Sequence, residues 1–132
     1  MSQSVYEDEW GEVVEDSEAD LIEIVWSETT AGMSIEEFNR WLDGFAGLVE
    51  KQDRHKVLVD STLFLMDTLL MDAPWRDANI IPRYNAAGVK KLAFLVPEGM
   101  PLIGAEPAPD GPADFPTAYF GDRDDALAWL AS

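Results

Sequence analysis

The sequence contains no cysteine. Disulfides, thiolate zinc sites, iron–sulfur clusters and cysteine nucleophiles are therefore excluded. Histidine occurs once, at position 55, so a zinc or copper site would have to rely on carboxylates, which those metals rarely do. Basic side chains are scarce: nine Lys and Arg stand against 26 Asp and Glu, a net charge of −17. Nucleic acids and anionic lipid surfaces are repelled at long range, and no dense basic stripe offsets this. No apolar run approaches the ~20 residues of a membrane span. The first residues lack the basic and apolar regions of a signal peptide, which points to a cytoplasmic protein. Phosphate loops, dinucleotide glycine fingerprints and nucleophile elbows are missing too.

What is there fits one domain. The chain has 132 residues, of which 47% are apolar and 27% charged. That length buries roughly two thirds of the unfolded surface and needs no covalent staples. Charge is unevenly placed. Residues 1–28 carry ten acidic side chains and no basic one, whereas eight of the nine basic residues fall between Arg40 and Lys91. Such an acidic edge either docks a basic partner or simply solvates a sheet edge. Residues 1–9 read as an acidic, flexible leader and 10–132 as the folded domain.

Periodicity places the elements. Val13-Val14 and Leu21–Trp26 alternate in and out around a turn-like Asp16–Asp20, which predicts a β-hairpin. Ser34 and Glu37 form a capping-box pattern, and Ile35, Phe38, Trp41, Leu42, Phe45, Leu48 and Val49 recur at helical steps. Lys56–Ser61, an apolar run ending in polar residues, reads as a central strand, and Lys91–Val96 as another buried strand. Leu63–Met71 has acceptable helical spacing. Trp75–Ala87 predicts a helix ending at Gly88, either kinked at Pro82 or restarted there. The stretch 97–116 is rich in proline and reads as a loop. Ala118–Phe120 predicts a short strand, and Asp122 caps a last helix carrying Ala126, Leu127, Trp129 and Leu130. Together these predict a single α/β domain with a mixed sheet of about five strands flanked by helices.

Candidate chemistry is thin. His55 lies in a polar turn between Arg54 and Lys56 and reads as solvent-exposed rather than catalytic. Asp60 ends a predicted central strand, where sites in open α/β sheets gather, but Asp there also caps turns. Asp122–Asp125 lacks the alternation and distal Glu of a calcium loop and reads as a helix cap. Leu63, Phe64, Leu65, Met66, Leu69, Leu70 and Met71 are too many large apolar residues for one helix face. Their excess predicts a second burial surface: a homodimer contact, a partner groove or the mouth of an apolar pocket.

Several stretches together resemble the STAS-like domains of the anti-sigma-factor-antagonist group, in particular a bacterial branch allied to CRAL-TRIO-like lipid-binding folds. They are Ala31–Ser34 with Glu36-Glu37-Phe38, Lys56–Asp60, Trp75-Arg76-Asp77 leading to Pro82-Arg83, Ala87–Lys91, and Tyr119-Phe120 leading to Ala126–Leu130. The resemblance covers most of the chain from about residue 10. It implies a small α/β domain that binds partner proteins, switched by phosphorylation of a serine after a strand and a Met-Asp pair. Leu65-Met66-Asp67-Thr68 is similar to that stretch, which implies Thr68 as phosphoacceptor, with Ser61 and Thr62 as alternatives in the same loop. Where the family continues Ser-Gly-Leu, this chain has Leu69-Leu70-Met71.

These readings predict a non-enzymatic regulatory or interaction module that forms a homodimer through Leu63, Leu65, Met66, Leu69, Leu70 and Met71, without cofactor or metal. The alternative is a carrier of a small apolar or lipid-like ligand, with Asp60 as a polar group of the pocket. An enzyme would need a cluster of Asp60 with Arg76 or Arg83.

Overall fold

A computed structural model describes residues 2–65, 73–97, 108–109 and 112–132. The strands are β1 (Ser2–Glu7), β2 (Gly11–Asp16), β3 (Leu21–Trp26), β4 (Lys56–Asp60), β5 (Lys91–Leu95), β6 (Ala108–Pro109) and β7 (Pro116–Phe120). The helices are α1 (Ile35–Gln52), α2 (Ala73–Asn79), α3 (Ile81–Ala87) and α4 (Arg123–Ala131), with a 3-10 turn at Glu28–Gly32. All strands join one mixed sheet in the order β1-β2-β3-β4-β5-β7-β6. β3, β4, β5 and β7 run parallel, while β1, β2 and β6 pair antiparallel with their neighbours.

The single α/β domain with a mixed, helix-flanked sheet is as the sequence predicts. The sheet is larger than five strands for two reasons. Residues 2–7, read as a loose leader, pair with β2 across a register shift between Ser4 and Tyr6. Ala108–Pro109, inside the expected loop, pairs with Thr117 and Pro116.

Successive parallel strands step the same way across the sheet. Right-handed crossovers then put their helices on one face. α1 and α3 bury Trp41, Leu42, Phe45, Ala46, Val49, Ile81 and Tyr84 against Val13, Ile22, Ile24, Trp26, Val57, Val59 and Leu92. Each such side chain contributes roughly 2 kcal/mol. α4 follows the last parallel strand and packs on the opposite face, where Ala126 and Leu130 meet Leu21, Leu58, Ala93 and Leu95. The alternation along β3 and β4 thus feeds two cores.

Local chemistry sets the boundaries. The Ser34 hydroxyl accepts from the Glu37 N–H, and the Glu37 carboxylate accepts from the Ser34 N–H. α1 ends at Asp53 in the left-handed region. The predicted helix over 75–87 is two helices meeting at Ile80, with Pro82 in the first turn of α3 and Gly88 closing it at φ 84°. Asp122 caps α4 by accepting from the Asp124 N–H. The described part of the expected Leu63–Met71 helix, residues 63–65, is not helical.

Candidate functional site: an aromatic cavity at the strand ends

A cavity of about 400 Å³ lies between the parallel strands and the helices that cover them. Most of its described sheet wall comes from the C-terminal halves of those strands, the end at which ligands gather in open α/β sheets. Ile24 and Trp26 of β3, Val59 of β4, Leu92 and Phe94 of β5 and Tyr119 of β7 form its sheet wall. Phe38 and Leu42 of α1, Arg76 of α2 and Ile81 and Tyr84 of α3 form the helical wall. Ser61 and Phe64, just after β4, complete the described lining.

Aromatic contacts hold the walls. Phe64 meets Trp26 edge-on at 5.2 Å and Phe38 at 5.7 Å between ring centroids. Phe94 stacks on Tyr119 at 5.1 Å. Residues 61–65 are tied down as a strap. Ser61 N–H donates to the Leu95 carbonyl at 2.8 Å, and Leu65 N–H donates to the Thr30 hydroxyl at 2.9 Å. That hydroxyl, fully buried, donates in turn to the Ser27 carbonyl. Phe64 therefore turns inward, while Leu63 and Leu65 stay 46% and 55% exposed.

Four side chains bring polarity: Ser61, Arg76, Tyr84 and Tyr119. Burial pushes the Tyr84 phenol up, against the opposing charges of Arg76 and Arg83. It stays protonated as a hydroxyl donor at any ordinary pH. The arrangement has the features of a binding pocket, namely an apolar body with a few placed polar groups.

The sequence-predicted residues fall mostly elsewhere. Asp60 faces the α4 side of β4, as Leu58 does, and its carboxylate accepts from the Thr62 N–H and hydroxyl at 3.1 and 2.7 Å. Its neighbour Ser61 lines the cavity instead. Arg83 bridges α3 to α1 by pairing with Asp43 and Glu50, both at 2.6 Å. Met66, Thr68, Leu69, Leu70 and Met71 lie outside the described residues.

His55 is not the exposed turn residue expected. It is half-buried at the opposite end of β4 from the cavity. Nδ1 lies 2.8 Å from Asp20 and Nε2 lies 3.3 Å from Asp53. Both aspartates have φ near +55°, the only positive-φ residues other than glycine among those described. The turns were visible in sequence, but not that two of them converge on one ring.

Two further carboxylates sit in structural roles. Asp8 accepts from the Tyr6 hydroxyl, the Trp41 indole and the N–H groups of Trp10 and Gly11. Burial alone would raise its pKa, and these donors outweigh it, holding Asp8 below its ordinary value. It lines a second concavity, about 430 Å³, between the β1–β2 hairpin and α1. Glu23, 3% exposed, receives both arms of the Arg123 guanidinium at 2.6 Å. The Glu23 hydrogen bond raises Arg123 above its ordinary value.

The cavity was missed because its residues are scattered over seven elements and the strap after β4. One signal was available: Trp26, Phe94 and Tyr119 each stand at or next to the last residue of a parallel strand, and Phe64 follows β4 closely. Among the described residues no group of His, Asp and Glu could hold a metal, and no helix is long and apolar enough to cross a membrane. Comparison of the chain with protein-family models, curated proteins and solved structures finds no match.

Proposed function

We propose that the protein is a non-enzymatic binding module whose strand-end cavity takes up a small apolar molecule. The observation that carries this reading is the cavity itself. Its volume of about 400 Å³ falls within the ~300–1,000 Å³ of ligand pockets, and aromatic and aliphatic side chains dominate its walls. The position of the one imidazole supports a non-catalytic role. His55 precedes β4 and Ser61 follows it, so the two lie roughly 20 Å apart at ~3.3 Å per residue. Both ring nitrogens also face carboxylates of the protein. A STAS-like assignment belongs to the same proposal, supported by the small α/β domain and mixed sheet.

Native mass spectrometry of protein purified from its own cells tests the reading. A stoichiometric small-molecule adduct that is lost in Val59→Phe is expected, because Val59 lines the cavity and is 8% exposed. A bare chain that also fails to bind apolar probes in solution would sink it.

Self-association is a second reading. Leu63 and Leu65, both in the strap, expose large apolar surface. Analytical ultracentrifugation should then show a dimer that Leu65→Asp dissociates. A monomeric wild-type protein removes this reading and leaves the first intact.

A further inference from the structure

The concavity between the β1–β2 hairpin and α1 shares no described lining residue with the strand-end cavity. Its walls are aromatic. Tyr6 and Trp41 stand 5.9 Å apart with ring planes crossing at 73°, so they form two sides of a corner, and Trp10 lines the same space. Tyr6 is 44% exposed, which leaves much of its ring free for a ligand. The described lining carries three carboxylates, Asp8, Glu9 and Glu37, against one guanidinium, that of the exposed Arg40.

Asp8 decides which kind of cation fits. Its five hydrogen bonds all come from neutral groups: the Tyr6 hydroxyl, the Trp41 indole and the N–H groups of Trp10 and Gly11. A carboxylate offers about four lone-pair sites. The hydrogen-bonding capacity of Asp8 is therefore spent, while its charge is not neutralised by these donors. A primary ammonium would bring N–H donors that find no free acceptor at Asp8. A fully methylated ammonium brings charge without donors, and aromatic walls attract it through their ring faces. We infer that this concavity binds the quaternary ammonium head of a small soluble molecule, with Tyr6, Trp10 and Trp41 around the methyl groups and Asp8 supplying the counter-charge. At the ~30 Å³ that a water molecule occupies in the liquid, 430 Å³ holds roughly fourteen non-hydrogen atoms, enough for such a head and a short tail. The net charge of −17 draws in any cation. Selectivity among cations, rather than attraction, is therefore the decisive property.

Nuclear magnetic resonance titration of the full chain with choline, its uncharged isostere 3,3-dimethyl-1-butanol and the primary ammonium ethanolamine tests this. Choline should bind at least ~10-fold tighter than either. It should move the indole N–H resonances of Trp10 and Trp41 and leave that of Trp129, on the opposite face of the sheet, in place. Tyr6→Leu should weaken choline about 5-fold, whereas Tyr6→Phe, which keeps the ring, should retain it. Arg40→Gln should tighten choline about 2-fold by removing the one described cation from the wall. Equal binding of choline and its isostere would overturn the role of charge. Ethanolamine binding as tightly as choline would overturn the methylated head. Binding that leaves Trp10 and Trp41 unmoved would overturn the site, and a trimethyllysine peptide that outbinds choline would overturn the small-molecule form. Absence of choline binding would overturn the inference and leave the apolar-ligand reading, which concerns the other cavity, intact. The three-ligand comparison uses the wild-type protein, so a misfolded variant does not blunt it.

Discussion

Asp8 is one residue from the acidic N-terminal stretch whose role the structure defines. It gathers four kinds of donor and ties β1, the β1–β2 turn and α1 together. Asp8→Asn replaces an acceptor with a donor, so at least one partner is left unpaired, at a cost of about 1–2 kcal/mol. The same contact predicts a pH dependence. The folded-state pKa of Asp8 is depressed below 3.8. Its stabilisation is therefore complete above that value and is lost as pH falls through the folded-state pKa. Urea unfolding from pH 5 to pH 2.5 should show a drop that is shallower in Asp8→Asn. Glu23 gives the complementary case. Arg123→Met leaves a carboxylate that is 3% exposed without its fork. The expected loss is about 2–3 kcal/mol, discounted because Arg123 itself is 45% exposed. Glu23→Leu combined with Arg123→Met should recover most of that loss, since a well-packed apolar pair removes the buried charge.

At the level of elements, the β1–β2 hairpin is the part with the most internal conflict. Glu7 and Glu12 are paired directly across the two strands. Like charges so placed destabilise, and Glu7→Lys should add roughly 0.5 kcal/mol, measured as a rise in the urea midpoint. Gly11 is required by close approach rather than by φ: a Cβ there would lie 2.7 Å from the Val25 carbonyl oxygen. Gly11→Ala should therefore separate β2 from β3 locally and cost about 1–3 kcal/mol. α1 tests the opposite kind of consistency. Its cap, apolar stripe and left-handed end all agree, and Ser34→Ala should cost about 1 kcal/mol.

For the molecule as a whole, charge and cavity set the expectations. Excess negative charge repels itself in the compact state, so added salt should raise the melting temperature through screening. The cavity interrupts close packing on the α1–α3 side of the sheet, and Phe64 closes it from the strap. Thr30→Val removes the hydroxyl that receives the Leu65 N–H. It should loosen residues 61–65 and speed exchange of a bound ligand, with little change in the far-UV spectrum.

Fold class was legible because periodicity is local. The alternation of Leu21–Trp26, the stripe and capping box of Ser34–Val49, and the apolar runs at Lys56 and Lys91 each declare an element from neighbours in the chain. Pairing of Ser2–Glu7 was not legible, because a polar edge strand has no apolar alternation and is defined by the strand beside it. The exposed placement expected of His55 failed for a related reason: its surroundings come from Asp20, 35 residues away, as much as from the turn it occupies. The cavity belongs to the same class. Parallel winding brings the ends of β3, β4, β5 and β7 side by side, and only then do Trp26, Arg76, Phe94 and Tyr119 become one wall. Elements follow from the order of residues along the chain, whereas a site follows from which elements end at the same place. Distance in space, which tertiary packing alone decides, determines the second.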